Sequence, residues 1–228
     1  MHASFTFRPF VCWPAVLAAV ATILVSAVAI TWPVVDQFIA AKFYAGAGKF
    51  PATDVPALRA LHFAGNAATD VVIVGWSVVL LGRLLGYRLV EAVSWRTWWF
   101  LSLCLALGPG LLINGLLKPL TNRPRPLQTD LFGGHQAFVA AWSFGETGTG
   151  NRSFPSGEAA AAMYLVAFAL VVPRAWRRPF TAFALLWAFA VSLNRIAFGA
   201  HYLSDVLVAW GLTLVVMFLL RTLILLDT

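Results

Sequence analysis

Charge is what this sequence has least of. Only 11% of its 228 residues are charged, against 61% hydrophobic, and the mean hydropathy is +0.82. A soluble domain carries roughly a quarter charged residues, so a surface wetted on all sides is excluded and a polytopic membrane protein is indicated. Acidic residues are the scarcer sign: nine Asp and Glu stand against sixteen Lys and Arg, a net charge of +7. The basic residues sit at the ends of apolar runs or in one cluster and form no continuous basic face, which argues against nucleic acid as a partner. Cysteine is nearly absent. Cys12 and Cys104 both fall in apolar runs, lack the spacing of a metal site or a disulfide framework, and read as packing residues.

Long apolar runs are abundant instead. A membrane span needs roughly 20 mainly apolar residues, and six candidates follow one another: 10–32, 62–82, 98–118, 157–173, 180–199 and 203–224. The expectation is an all-α, integral membrane six-helix bundle forming a single domain over residues 1–228, with no internal repeat. Arg8 before the first run and Ala27-Val28-Ala29 within it resemble a cleavable signal, but the length of the run and the spans that follow favour an uncleaved signal anchor.

Basic residues set the orientation. Arg83, Arg88 and Arg96 lie between the second and third runs, Arg174, Arg177 and Arg178 between the fourth and fifth, and Arg8 and Arg221 near the termini. By the positive-inside rule these segments are expected in the cytoplasm. Lys118, Arg123, Arg125, Arg152 and Arg195 fall on the other side, where anion binding accounts for charge that topology disfavours. A site built from them then faces the periplasm or cell exterior, across a bacterial inner membrane. Segment 33–61 reads as a loop with a short interfacial helix. Segment 119–156, with Pro124, Pro126, Gly133-Gly134 and Gly145 to Gly150, reads as irregular, and long ordered loops of this kind are often functional. Asn66, Asp70, Asn114 and Thr181 inside the runs are expected to hydrogen-bond helix to helix, with Asp70 alternatively lining a polar path. Trp95, Trp98 and Trp99 are read as interface anchors.

The chemistry is concentrated between residues 118 and 205. His201 precedes the sixth run and Asp205 stands four positions on, so a helix starting near Ala200 would place both on one face. A carboxylate there can hold one imidazole nitrogen protonated and leave the other free to attack as a covalent nucleophile. Taken alone, the pair could equally satisfy two interfacial polar groups. Lys118, Arg125 and Arg195 would hold the non-bridging oxygens of a transferring phosphoryl group. Each could separately be a snorkelling cation, although Arg195 lies inside an apolar run, where an ionisable residue is a functional hypothesis by default. Ser156-Gly157 precedes Glu158 and an alanine-rich run: Ser156 suits an N-cap, Gly157 permits close backbone approach, and the first-turn N–H groups suit an anion. Arg123, Arg152 and His135 are accessory candidates.

Together these residues resemble the type 2 phosphatidic acid phosphatase superfamily, whose bacterial members are membrane lipid phosphatases and whose soluble relatives include vanadium haloperoxidases. The family pattern Lys-x6-Arg-Pro matches at Lys118, Arg125 and Pro126. Pro-Ser-Gly matches at Pro155, Ser156 and Gly157, and Arg-x5-His-x3-Asp at Arg195, His201 and Asp205. The resemblance implies a lipid phosphatase working through a phosphohistidine, without metal or cofactor, whose partners are the bilayer and a lipid phosphate or diphosphate. Phosphatidylglycerophosphate, lipid A phosphate, undecaprenyl diphosphate and phosphatidic acid are the substrates it allows. Asn194 replaces the serine usual before the arginine, and Glu158 replaces the histidine that protonates the leaving group. Glu158 is expected to act as the acid once a bound phosphate dianion favours its protonated form, or else to pair with Arg152 or Arg195 while His135, a water or a good leaving group serves instead. A phosphotransferase using the same phosphohistidine and a non-catalytic lipid-phosphate binder are the alternatives, and the sequence gives no oligomeric state.

Overall fold

The computed structural model describes residues 12–87, 93–144 and 152–225; Arg8, Arg88 and the glycines from Gly145 to Gly150 lie outside the described residues. Every regular element among the described residues is helical. Helix α1 (Trp13–Thr31) opens with a proline in its first turn and is followed by the short α2 (Val34–Ala41). Helix α3 (Pro56–Leu84) again starts on proline, the helix position where a missing N–H costs nothing. Helix α4 (Trp95–Leu105), capped by Ser94 Oγ accepting from Thr97 N, continues through a π-helical stretch (Ala106–Leu117) into α5 (Lys118–Thr121). Pro109 lies within the π-helical stretch and cannot donate to a regular ladder; its carbonyl accepts Asn114 Nδ2 at 2.7 Å. Helices α6 (Gly157–Tyr164), α7 (Val166–Ala169), α8 (Arg174–Ala197) and α9 (Leu203–Leu225) complete the bundle.

Among the described residues five segments are long and apolar enough to cross a membrane: Trp13–Thr31, Pro56–Leu84, Trp95–Gln128, Arg174–Ala197 and Leu203–Leu225. The expected span at 157–173 departs from this. It is interrupted at Leu165, and Gly157–Ala169 forms a shorter apolar helix of roughly 20 Å at 1.5 Å per residue, against a hydrocarbon core of about 30 Å. The reason is its placement. Gly157, Ala159, Ala160, Ala162 and Met163 are all buried, so α6 begins inside the protein and, apart from Glu158, is apolar round its surface, as a largely enclosed helix is. It packs against α8, α9, α3 and the π-helical stretch.

The main core cluster joins Phe100, Leu101 and Cys104 of α4 to Ala162 and Met163 of α6, Ala184 and Ala188 of α8, and Met217 of α9. Cys104 is therefore a packing residue, while Cys12 is half-buried with Sγ 3.4 Å from the Phe218 carbonyl oxygen. Arg96 Nε donates to the Ile224 carbonyl, and the Arg83 guanidinium lies over Trp95. These contacts gather the start of α4 and the ends of α3 and α9 at one end of the bundle. Two polar expectations change. Asn114 and Thr181 bond carbonyls of their own helices rather than bridging helices, and Trp98 turns inward, buried, to Trp76 while Trp95 and Trp99 stay exposed.

Segment 33–61 contains α2 and a 3-10 turn, Pro51–Asp54. Phe50 packs with Tyr44 and Phe132 at ring separations of 5.3–5.8 Å and closes over Gly199, which sits at φ +62. A Cβ at Gly199 would lie 2.6 Å from the Phe50 ring, so the turn between α8 and α9 needs glycine for both conformation and space.

Helix α1 packs along α9, where a Cβ on Gly211 would strike Thr22 Oγ1 and come within 3.0 Å of Thr22 Cβ. Such small residues let membrane helices approach closely. Gly211→Leu is expected to part these helices at a cost of about 1–3 kcal/mol, read as a lower thermal midpoint in detergent; an unchanged midpoint would contradict this packing.

Candidate active site

The site is organised by the first turn of α9. That helix begins at Leu203, so His201 stands just before it and the expected same-face helical pairing with Asp205 does not form. Asp205 instead reaches back to its own helix start, Oδ2 accepting Tyr202 N at 2.7 Å, which satisfies a donor that a helix N-terminus leaves free. The same oxygen accepts Ser153 Oγ in a short hydrogen bond. Oδ1 accepts Arg123 Nη1 at 2.5 Å.

Arg123 is fully buried. Its Nη2 reaches Asp36 Oδ2 at 2.9 Å, its Nη1 also reaches Ser204 Oγ, and its Nε donates to the Val139 carbonyl at 2.8 Å. Asp36 in turn accepts Ser204 N at 2.9 Å and Ser204 Oγ at 2.5 Å. A carboxylate from α2 thus caps α9 from outside, where the helix dipole favours negative charge. With its hydrogen bonds taken up in this way, the guanidinium of Arg123 lies in the interior of the structure and not among the cations of the open site.

His201 is buried, with Nδ1 2.8 Å from the Ser153 carbonyl oxygen. A carbonyl only accepts, so Nδ1 carries the proton and Nε2 presents a lone pair. Asp205 Oδ2 stands 3.6 Å from Nδ1, beyond hydrogen-bond range. It acts on the imidazole by its charge and by fixing Ser153. Burial pushes the His201 imidazolium below its ordinary range, Asp205 pulls the other way, and Lys118 and Arg125 add to the lowering. The side chain is accordingly neutral and nucleophilic at pH 7.

Facing His201 is a cluster of cations. Lys118, Arg125 and Arg195 interact electrostatically with one another. Among the described residues Arg125 Nε is buried without a hydrogen-bond partner, an arrangement costly unless an anion arrives. Ser156 is the N-cap of α6, its Oγ accepting Ala159 N at 3.3 Å and its own N–H donating to the Asp205 carbonyl at 3.0 Å. A Cβ at Gly157 would collide with the Asn114 side chain. Glu158, in the first turn, forms a close ion pair with Arg195 Nε, and its Oε2 lies 4.0 Å from His201 Nε2. Arg152 keeps a buried Nε without a partner. His135 is exposed in the loop, and among the described residues its ring makes no contact with the other site residues. No three His, Cys, Asp or Glu side chains among the described residues converge as metal ligands.

Four residues that sequence reasoning missed belong to this arrangement: Asp36, Ser153, Ser204 and His62. His62 on α3 lies with Nδ1 3.1 Å from Arg195 Nη1 and 3.6 Å from Glu158 Oε1. An ionisable residue at the edge of an apolar run was the available signal for His62, as it was for Arg195. Asp36 among Val34, Val35, Phe38 and Ile39 offered a similar one. Asn194 does not face the cations; its Nδ2 bonds the Leu58 carbonyl at 3.0 Å and so ties α8 to α3. Between α3 and α4 a groove of about 730 Å³ starts at Lys118, Gly157 and Glu158 and passes Asn66 and Asp70 to Leu80 and Trp98.

The sequence pattern of the PAP2 superfamily matches residues 97–226. A lipid A 4'-phosphatase from Rhizobium leguminosarum is 35% identical over 200 residues, covering 81% of this chain and 85% of the relative. A lipid A 4'-phosphatase from Rhizobium etli is 45% identical over 112 residues, 49% of this chain and 44% of that one. The crystal structure of a transmembrane PAP2-type phosphatidylglycerolphosphate phosphatase from Bacillus subtilis shares the fold with a TM-score of 0.62 at 21% identity, covering 92% of this chain and 96% of that chain.

Two outcomes follow from this geometry. Arg123→Met leaves Asp36 and Asp205 buried and uncompensated, and is expected to lower unfolding stability by about 3–5 kcal/mol in thermal denaturation; a loss below about 1 kcal/mol would mean the pairs contribute little. Because the neutral form of His201 is favoured, the acid limb of kcat/KM that it governs should fall below pH 6.5, with activity rising as pH climbs through that lowered value. An acid limb centred above pH 6.5 would contradict the placement of His201.

Proposed function

This chain belongs to the PAP2 superfamily and is a membrane-embedded phosphatase of lipid phosphates, and we propose that it hydrolyses the phosphomonoester of an acylated glucosamine lipid of the lipid A type. The relatives named for that activity support the choice over phosphatidylglycerophosphate, undecaprenyl diphosphate and phosphatidic acid. In the proposed reaction His201 Nε2 attacks phosphorus while the Ser153 carbonyl holds the proton on Nδ1. Asp205, through Ser153 and its charge, steadies the positive imidazole that forms. Lys118, Arg125, Arg195 and the Ser156-Gly157 end of α6 hold the phosphoryl oxygens, whose charge must be met throughout the transfer. Water then attacks the phosphohistidine. The observation that carries this reading is the buried, partnerless Nε of Arg125 in a set of three cations facing a neutral histidine.

Arg83, Arg96, Arg174, Arg177, Arg178 and Arg221 support a reading with the opposite end of the bundle in the cytoplasm, by the positive-inside rule. The proposed site then opens on the outer face of a bacterial inner membrane. The groove beside Lys118 and Glu158 gives a lipid chain a lateral way in from the bilayer.

In EDTA and detergent, the purified protein is expected to release inorganic phosphate from lipid A at least tenfold faster than from the other three lipids, with His201→Ala at background. Release from phosphatidylglycerophosphate alone would reassign the substrate. Phosphorylated lipid product without free phosphate would make the protein a phosphotransferase.

A further inference from the structure

The position where the family pattern has its acid histidine holds Glu158, yet a histidine stands beside it in space. Helix α3 is drawn onto α8 by the Asn194 to Leu58 hydrogen bond, and Gly65 allows the approach, since a Cβ there would lie 3.3 Å from Val191. His62 sits one turn from each of these points and packs edge-on to Phe198 at 5.9 Å. Arginine can only donate, so the 3.1 Å contact from Arg195 Nη1 makes His62 Nδ1 an acceptor and leaves the ring proton on Nε2. Among the described residues Nε2 makes no hydrogen bond, and the side chain is 34% exposed. Glu158 Oε2, by contrast, is held by Arg195, and its Oε1 faces His62 at 3.6 Å.

We propose that His62, partnered by Glu158, is the acid that protonates the leaving oxygen, so that the catalytic histidine missing from the sequence motif is supplied by α3. The proposal rests on the phosphohistidine reading above. The Glu158 carboxylate occupies Arg195 as an anion would. A phosphoryl dianion takes Arg195 over, freeing His62 Nδ1 from the guanidinium and Glu158 from its ion pair. His62 then takes a proton from solvent and becomes an imidazolium whose Nδ1–H is held by Glu158. As the bond from His201 Nε2 to phosphorus forms, the phosphorus–oxygen bond to the lipid breaks. Its electron pair stays on oxygen, which takes the proton from His62 Nε2. In the second half, water attacks phosphorus and gives its proton back to His62 Nε2, while the nitrogen–phosphorus bond breaks with its electrons returning to His201.

His62→Gln keeps an acceptor for Arg195 but supplies no acid. It is expected to cut kcat on lipid A by ~10²–10³-fold with KM within about threefold, while releasing nitrophenol from an acylated nitrophenyl phosphate, whose leaving group needs no proton, within about fivefold of the wild-type rate in the first turnover. His62→Ala should regain lipid A activity when imidazole is added. Equal losses on both substrates in the first turnover, undiminished lipid A turnover in His62→Gln, or no rescue by imidazole would overturn the proposal. A loss confined to lipid A in Glu158→Gln but not in His62→Gln would return the acid role to Glu158. Failure of the wild type to release phosphate from either substrate would instead defeat the phosphatase reading itself.

Discussion

One buried cation holds the working end of this protein together. Arg123 joins Asp36 of α2, Ser204 and Asp205 of α9, and the Val139 carbonyl of the loop. Buried charges are tolerated only when paired and hydrogen-bonded, so these segments must come together for any of them to leave water. Asp205 extends the constraint: it fixes Ser153, whose carbonyl sets the tautomer of His201, and its own carbonyl receives Ser156 N–H, which positions the cap of α6. The proposed nucleophile and the anion-facing helix end are thus oriented from one hub.

That hub also divides the site electrically. Two carboxylates and one guanidinium lie behind His201, and Lys118, Arg125 and Arg195 lie in front. A histidine between them is kept neutral by burial, and in the proposed attack its growing positive charge would meet the excess carboxylate as the bond forms. The cations in front have no such internal neutralisation except from Glu158, which sits where an incoming anion would. In the proposed reaction Glu158 stays in the pocket when it yields Arg195, so the charge of an arriving dianion is met by the three cations and by the proton that His62 takes up.

Much of this was legible in the sequence, because it rests on residue types at fixed spacing. The apolar runs reported helices, and the three motifs reported Lys118, Arg125, Ser156, Arg195, His201 and Asp205, which the fold brings to one end of the bundle. What escaped depended on long-range contacts. Asp36 and His62 lie 168 and 133 positions from their partners Ser204 and Arg195, beyond any local periodicity. The carbonyl of Ser153 has no side-chain signature. Arg123, two positions from Arg125, looked like another phosphate ligand because spacing cannot say which of two arginines faces inward. The run at 157–173 looked like a span because composition records apolar surroundings without distinguishing lipid from protein.

The central claim is the covalent step at His201. The direct test is to mix the enzyme with lipid A carrying a radiolabelled phosphate, stop the reaction in alkali on the millisecond scale, and map the label on the digested protein. The account predicts an acid-labile, alkali-stable phosphate on the peptide containing His201, absent in His201→Ala. Rapid phosphate release with no labelled peptide at any time, or label on another residue, would contradict it.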